Sequence, residues 1–178
     1  MSQSGIKLLE DGKVMLATRT YGRVPGPVWH WMASEKLDGW RAIWTGTRMV
    51  SRRGNDLQAP LWFTRDLPRD VALDGELWCG RGGLAKVQSM DWTLRRFHVF
   101  DAPLAGGTFV HRLDVARQAV RVCAHAEAVP HWISQDPQAD MERIVAMGGE
   151  GLILRHAFSD YEHARSCRFL KLKPRGVD

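Results

Sequence analysis

The pattern of apolar and polar residues predicts a chain rich in short strands. Alternating apolar residues predict a strand that runs up to residue 36, and a hairpin over 40–44 and 49–52 that turns at 45–47. The short run 14–17 fits either a strand or the start of a helix. Further strands are predicted over 71–79, 95–101, 131–134, 152–156 and 167–173.

Two longer helices follow from the spacing of apolar residues. One is predicted over 112–128, where the apolar residues form a single helical face and Pro130 ends the pattern. The other begins at Asp136, a residue suited to cap a helix, with Pro137 in the first turn, and ends at Gly148.

Shorter segments complete the predicted architecture. Short helices are predicted over 59–67, with a proline at the first helical position, and over 84–90. The polar, glycine-containing segment 1–13 is predicted to be an irregular lead-in. Because strands and helices mix without regular alternation, the chain is predicted to have an α+β fold.

Composition indicates one globular domain. The chain has 178 residues, of which 44% are hydrophobic and 25% charged, as in ordinary globular proteins. Its apolar runs are far shorter than a membrane span, and its first residues lack the regions of a signal peptide, so a cytoplasmic protein without a membrane partner is expected. Cys79, Cys123 and Cys167 are odd in number and far apart, so they are predicted to be buried small hydrophobic residues.

The net charge of +5 favours a polyanionic partner. A modest basic excess is also typical of a plain solvated surface, so charge alone leaves both interpretations open.

The segment 34–39 carries the first candidate chemistry. Lys36 and Asp38, followed by Gly39, suit a tight turn in which both side chains are aimed at one bound phosphate. A lysine amine becomes a nucleophile when it is desolvated or crowded by other cations, and Lys171 and Lys173 alternate on one face of a predicted strand.

Attack on a phosphate also requires carboxylates that hold a metal ion or a sugar. Glu76 and Glu150 are the candidates: Glu76 lies within the predicted strand 71–79, and Glu150 lies two residues before the predicted strand 152–156.

Six segments together resemble the ordered motifs of the covalent nucleotidyltransferases, and within that superfamily those of the ATP-dependent DNA ligases. The segments are 36–39, 51–54, 73–77, 97–101, 150–155 and 170–173. Residues 34–42, 51–64 and 73–81 are most similar to the small bacterial ligases called ligase E. The resemblance implies an adenylation domain with mixed, largely antiparallel sheets flanked by helices.

The resemblance also implies roles at the phosphates of ATP. Lys36 would attack the α-phosphate, retain AMP in a phosphoramidate bond and release pyrophosphate. Asp38 and Arg41 would lie near the phosphates, and Lys171 and Lys173 would contact the α-phosphate, where charge develops in the transition state.

The remaining implied contacts concern the nucleoside and the metal ion. Ser34 occupies the position that contacts the adenine edge, and Phe100 matches the aromatic residue that stacks on adenine. Glu76 would reach the ribose or the metal, and Glu150 would help to hold the metal, Mg²⁺ or Mn²⁺. The implied cofactors are thus ATP and a divalent cation.

Nicked duplex DNA is the implied partner. Arg52 matches the arginine that holds the 5′-phosphate of the nick, and Arg165 resembles a second such contact, because a guanidinium grips phosphate oxygens in two places. Other arginines either extend this footprint or are simply solvated: Arg53, Arg65, Arg69 and Arg81.

The resemblance covers about residues 14–174. Ligases of this kind normally continue into an OB domain, so 1–178 is expected to be an adenylation domain without one, and a monomer. It would be an excised catalytic domain, a minimal natural ligase, or a chain whose OB-fold partner is supplied in trans. Three alternatives stay open: an RNA ligase, a GTP-using capping enzyme, and a nick-binding module without turnover.

Overall fold

The computed structural model describes residues 1–89 and 91–176. Its strands are β1 (Leu16–Thr20), β2 (Trp31–Glu35), β3 (Trp40–Trp44), β4 (Met49–Ser51), β5 (Leu73–Trp78), β6 (Arg96–Asp101), β7 (Ala126–Ala128), β8 (Trp132–Ile133), β9 (Leu152–His156) and β10 (Arg165–Leu172). Its helices are α1 (Gln3–Glu10), α2 (Leu61–Thr64), α3 (Leu84–Gln88), α4 (Phe109–Val120) and α5 (Pro137–Ala146). Single 3₁₀ turns lie at Val28–His30 and Trp92–Leu94.

The strands form two five-stranded sheets. The first has the order β1-β10-β9-β2-β8 and the second β4-β3-β5-β6-β7. Neighbouring strands are antiparallel except for the pairs β1 with β10 and β6 with β7. This architecture confirms the predicted α+β fold with largely antiparallel sheets.

Each sheet packs its apolar face against a helix. The second sheet and α4 share a core that includes Leu77, Phe97 and Ala116, and the first sheet and α5 share one that includes Trp31 and Ile144. Because β2 belongs to one sheet and β3 to the other, the segment between them, 36–39, crosses from sheet to sheet. The cores therefore fix the two ends of the segment that carries Lys36.

Most of the predicted elements are confirmed. The hairpin forms β3 and β4, and α5 begins as predicted, since the Asp136 carboxylate accepts hydrogen bonds from the backbone nitrogens of Gln138 and Ala139 at 3.0 Å. The proline of the segment 59–67 is the residue before α2 and not its first helical residue. The predicted helix over 84–90 ends at Gln88 as α3, and its residue 90 lies outside the described residues.

Two predictions of secondary structure were wrong. The segment 1–13 contains α1, capped by Ser2, because Leu9 packs into an apolar cluster with Val14 and Ile43. The helix predicted over 112–128 ends at Val120, and Ala126–Ala128 pairs with β6 as a parallel strand. Pairing with a strand distant in sequence overrides the local helical spacing there.

The cysteine prediction holds only for Cys123, which is buried. Cys79 is partly exposed, and Cys167 is exposed on β10, where it follows the buried Ser166 and precedes the exposed Arg168. None of the helices in the described part of the chain has the length and apolar character needed to cross a membrane.

Candidate active site

A cavity of about 810 Å³ opens between the two sheets. Its size is that of a small-molecule site. Side chains from β2, β9 and β10 line one side, and side chains from β3, β5 and β6 line the other. Lys36 lines the cavity from the crossing segment, so the sheet-to-sheet connection delivers the candidate nucleophile to its interior.

Glu150 binds two lysines. Lys36 Nζ forms an ion pair with Glu150 Oε2, and Lys173 Nζ lies 2.6 Å from Glu150 Oε1. Burial would raise the pKa of Glu150, but the hydrogen bonds and charges of the two lysines outweigh burial and lower it. Glu150 is therefore a carboxylate at neutral pH, and it stays compensated by Lys173 when Lys36 moves away.

Lys171 and Lys173 have different surroundings. Lys171 lines the cavity, and burial, followed by repulsion from Lys173 and Lys36, lowers its pKa. Lys173 does not line the cavity but contacts Glu150. The predicted alternation on one strand holds only for Lys171, because β10 ends at Leu172 and Lys173 lies just beyond it, where it contacts Glu150.

Glu76 is a second carboxylate near Lys36, and it lines the cavity. Burial raises its pKa to about 7, against the opposing charges of Arg41 and Lys36. Its position depends on Gly39, since a Cβ on that residue would lie 2.3 Å from the carbonyl oxygen of Leu77 and 2.8 Å from Glu76 Cγ. The glycine therefore lets the crossing segment pass directly against β5. Asp38, in contrast, is not among the described residues that line the cavity.

Arg41 is held by a carboxylate that the sequence analysis did not single out. Its Nε and Nη2 donate to the two carboxylate oxygens of Asp74 at 2.8 and 2.5 Å. Burial would lower the pKa of Arg41, but Asp74 outweighs burial and raises it. The guanidinium carbon lies 5.3 Å from the ring centre of Phe100, so Arg41 backs the ring that lines the cavity.

The arginines expected to contact phosphate lie at the cavity, but they differ in exposure and in the hydrogen bonds that they already make. Arg52 and Arg53 are exposed and line the cavity. Arg165 also lines it, and its Nη1 donates to the carbonyl oxygen of Ala17 at 2.5 Å. Arg81 donates to both carboxylate oxygens of Glu35 at 2.9 and 2.8 Å, so it joins the segment after β5 to the end of β2.

A buried charged network lies behind the cavity and was missed by sequence reasoning. Asp101 accepts from Arg112 Nε at 2.8 Å and from Arg155 Nη1 at 2.6 Å, and all three side chains are buried. The Tyr161 hydroxyl donates to Asp74 at 2.7 Å. One signal was available for Asp101, because the alternation placed it on the apolar side of its strand together with Phe97.

The chain was compared with known proteins. No family model matches it. A DNA ligase of Haemophilus influenzae is 32% identical in an alignment of 161 residues, which covers 83% of this chain and 59% of that ligase. A structure from a study of DNA binding by Lig E DNA ligases has a TM-score of 0.82 and 32% identity, and the match covers 90% of this chain and 68% of the other.

More distant DNA ligases share the fold. The chlorella virus ligase–adenylate matches with a TM-score of 0.68 and 18% identity, over 91% of this chain and 66% of the other. The bacteriophage T7 ligase in complex with ATP matches with a TM-score of 0.67 and 13% identity, over 94% and 70%.

The two-sheet fold, with a lysine delivered between the sheets, is that of the nucleotidyltransferase domain of ATP-dependent ligases. The chain belongs to the DNA ligase family and is similar in sequence and fold to the Lig E ligases. It spans about three-fifths of the length of the curated ligase that it matches, 59%. The resemblance inferred from the six motifs is thereby confirmed.

Proposed function

We propose that this chain is the catalytic adenylation domain of an ATP-dependent DNA ligase. The observation that carries the proposal is the convergence of three charged groups on Lys36: Glu76 and Lys171 line the same cavity between the sheets, and Glu150 forms an ion pair with Lys36. Lys36 lies in the motif that resembles the one carrying the ligase nucleophile, and the relatives of the chain are DNA ligases.

The first step is the transfer of AMP to Lys36. The free amine attacks the α-phosphorus of ATP, a P–N bond forms, the bond to the bridging oxygen breaks, pyrophosphate leaves and the amine gives up its proton. The ion pair of Lys36 with Glu150 opens for this attack, and Lys173 remains on Glu150 to compensate its charge. Lys171 faces the cavity, where its charge stabilises the phosphate oxygens.

The later steps act on nicked DNA. AMP passes from Lys36 to the 5′-phosphate of the nick as the P–N bond breaks and a pyrophosphate link forms. The 3′-hydroxyl then attacks that 5′-phosphate, AMP leaves and a phosphodiester bond is made. Arg52 and Arg165, both at the cavity, are the residues that we propose to hold the DNA phosphate.

A divalent cation fits the carboxylates of this site. Mg²⁺ is typically held by one or two carboxylates together with substrate phosphates and water. Glu76 and Glu150 are such a pair near Lys36, and among the described residues no group of three or more His, Cys, Asp and Glu side chains forms a complete protein cage. When bound, the ion supplies positive charge to the phosphate oxygens of ATP.

Covalent labelling tests the proposal. The chain is incubated with ATP labelled at the α-phosphate and with Mg²⁺, and then separated by denaturing electrophoresis. We expect label on the wild type and on Lys86→Ala, an exposed lysine of α3, and none on Lys36→Ala or Lys36→Arg. Label of equal strength on Lys36→Ala would contradict the proposal.

Labelling with GTP, sealing assays and a nick-binding assay separate the alternatives. Label from GTP in place of ATP would favour a capping enzyme, and sealing of nicked RNA in preference to DNA would favour an RNA ligase. Absence of label together with nick binding that weakens steeply with salt would favour a binding module. Sealing of a nick that already carries 5′-AMP measures the last step independently of the first.

A further inference from the structure

A histidine that has no part in the proposed chemistry lies beside Ser34 in the cavity. Strands β2 and β8 pair Met32 with Ile133 and Ala33 with Trp132. The next opposed position along this antiparallel register is Ser34 with His131, and opposed residues point to the same face of a sheet. Both residues line the cavity. The two side chains are therefore neighbours at one wall of the nucleotide site.

The hydrogen bond of His131 fixes its tautomer. The ring Nδ1 lies 2.8 Å from the backbone oxygen of Val129, and a carbonyl oxygen only accepts, so Nδ1 carries the hydrogen. Burial, together with the charges of Arg155 and Arg117 and against the opposing effect of the Val129 hydrogen bond, lowers the pKa of His131 to about 4. At neutral pH the ring is uncharged, and Nε2 is purely an acceptor.

This acceptor is available to a ligand. Within the described residues, neither His131 Nε2 nor the Ser34 hydroxyl has a hydrogen-bond partner. Nonpolar and aromatic side chains line the same cavity, among them Phe100, Ile153 and Phe169. An acceptor on the wall of such a cavity suits the polar edge of a flat heterocycle that lies against apolar groups.

We propose that His131 Nε2 accepts a hydrogen bond from the 6-amino group of the ATP base and, beside Ser34, makes the site prefer adenine to guanine. The inference rests on the proposed function, because it assigns the base of the nucleotide whose α-phosphate Lys36 attacks. Guanine carries an oxygen at the position of that amino group. Its lone pairs would face those of Nε2, and neither acceptor would find a donor.

Calorimetric titration of the full chain tests the assignment. Three nucleotides are compared: ATP, GTP, and purine riboside triphosphate, which lacks only the 6-amino group. We expect the wild type to bind ATP about tenfold more tightly than purine riboside triphosphate, the usual size of one hydrogen bond. In His131→Ala the two affinities become equal. The control His111→Ala removes an exposed histidine of α4 and retains the wild-type ratio.

His131→Gln is the second variant, because a glutamine amide can turn either its oxygen or its nitrogen toward the base. We expect it to bind ATP and GTP with similar affinity, whereas the wild type strongly prefers ATP. Circular dichroism of each variant checks that the fold is retained, and the Gln variant keeps the test valid if the Ala variant unfolds.

The outcomes separate the two proposals. If His131→Ala and His131→Gln keep the wild-type ratios, the role of His131 is overturned, and the labelling of Lys36 stands untouched. If ATP binds with the expected ratios but never labels Lys36, the role of His131 is supported and the proposed transfer fails. A wild type that binds no nucleotide overturns both.

Discussion

At the scale of single residues, two carboxylates near Lys36 have environments that move their pKa values in opposite directions. Two lysines lower the pKa of Glu150, whereas burial raises that of Glu76 to about 7. Neighbouring carboxyl groups with diverging pKa values are typical of sites in which each has a distinct task. Glu150 thus holds a permanent charge beside Lys36, and the charge of Glu76 responds to what enters the cavity.

His131 makes the stability of the fold depend on pH. Its pKa is about 4 in the folded chain and 6.5 in a model compound, so the unfolded chain takes up a proton that the folded chain does not. Stability from this residue is complete above pH 6.5 and is lost as pH falls from 6.5 toward 4. By pH 5 the loss amounts to about 1–2 kcal/mol.

Urea unfolding at pH 7 and pH 5 measures this loss. In His131→Gln the free energy of unfolding should fall less between the two pH values than in the wild type, by about 1–2 kcal/mol. His111→Ala serves as control and should show the wild-type difference. Equal pH dependence in the wild type and His131→Gln would show that His131 does not lose its proton on folding.

Sequence reasoning found the reactive residues of the site better than the residues that support them. Lys36, Glu76 and Glu150 stand in short motifs, so their types and order were visible in the sequence, and the structure brings them together. Asp74 and His131 were missed because their roles depend on which side chains oppose them on strands distant in sequence. Local patterns contain no information on such partners.

At the scale of elements, the segment between β2 and β3 is packed tightly against the second sheet and holds Lys36 in a fixed position. Its glycine has no room for a side chain, since a Cβ on Gly39 would meet the backbone of β5 and the stem of Glu76. The predicted tight turn is better described as a crossing between two sheets, which a local pattern could not reveal.

Gly39→Ala should therefore damage both stability and chemistry. We expect a loss of about 1–3 kcal/mol in the free energy of unfolding, as is usual for overpacking, and at least tenfold slower labelling from ATP, because Glu76 is displaced. The control is Gly80→Ala, where φ is +86° and no atom lies within 4 Å of a new Cβ.

Gly80→Ala imposes backbone strain of about 1–2 kcal/mol without touching the cavity. We expect Gly80→Ala to lose a similar free energy of unfolding to Gly39→Ala but to be labelled at the wild-type rate. The two variants therefore separate the effect of lower stability from the effect of displacing Glu76. Labelling of Gly39→Ala at the wild-type rate would show that the crossing segment tolerates a side chain.

Elements with strong local signals were predicted, and those that depend on distant contacts were not. The Asp136 cap with its following proline marked the start of α5, and alternation marked the hairpin. Helix α1 was missed because Gly5 lies in its interior, where a Cβ would come within 2.9 Å of Leu104. Close packing, not helix propensity, selects glycine at that position.

At the scale of the whole molecule, buried charges join the two sheets around the cavity. Asp101 stands on β6 of the second sheet, and Arg155, on β9 of the first, donates to it. The Tyr161 hydroxyl accepts from the backbone nitrogen of Met15 at 3.1 Å and donates to Asp74. The relative placement of Lys36 and Glu76 therefore depends on polar contacts between the sheets. Local sequence patterns do not predict such contacts.

Neutralising Asp101 should weaken this junction. Asp101→Asn leaves the buried guanidinium groups of Arg112 and Arg155 without a carboxylate, and removal of one member of a buried ion cluster typically costs about 3–5 kcal/mol. As a matched control, Arg96→Ala breaks the exposed pair of Arg96 with Glu127 and should cost less than about 1 kcal/mol. Urea unfolding at pH 7 measures both, and a loss in Asp101→Asn no larger than in Arg96→Ala would show that the sheets are held together by their apolar cores alone.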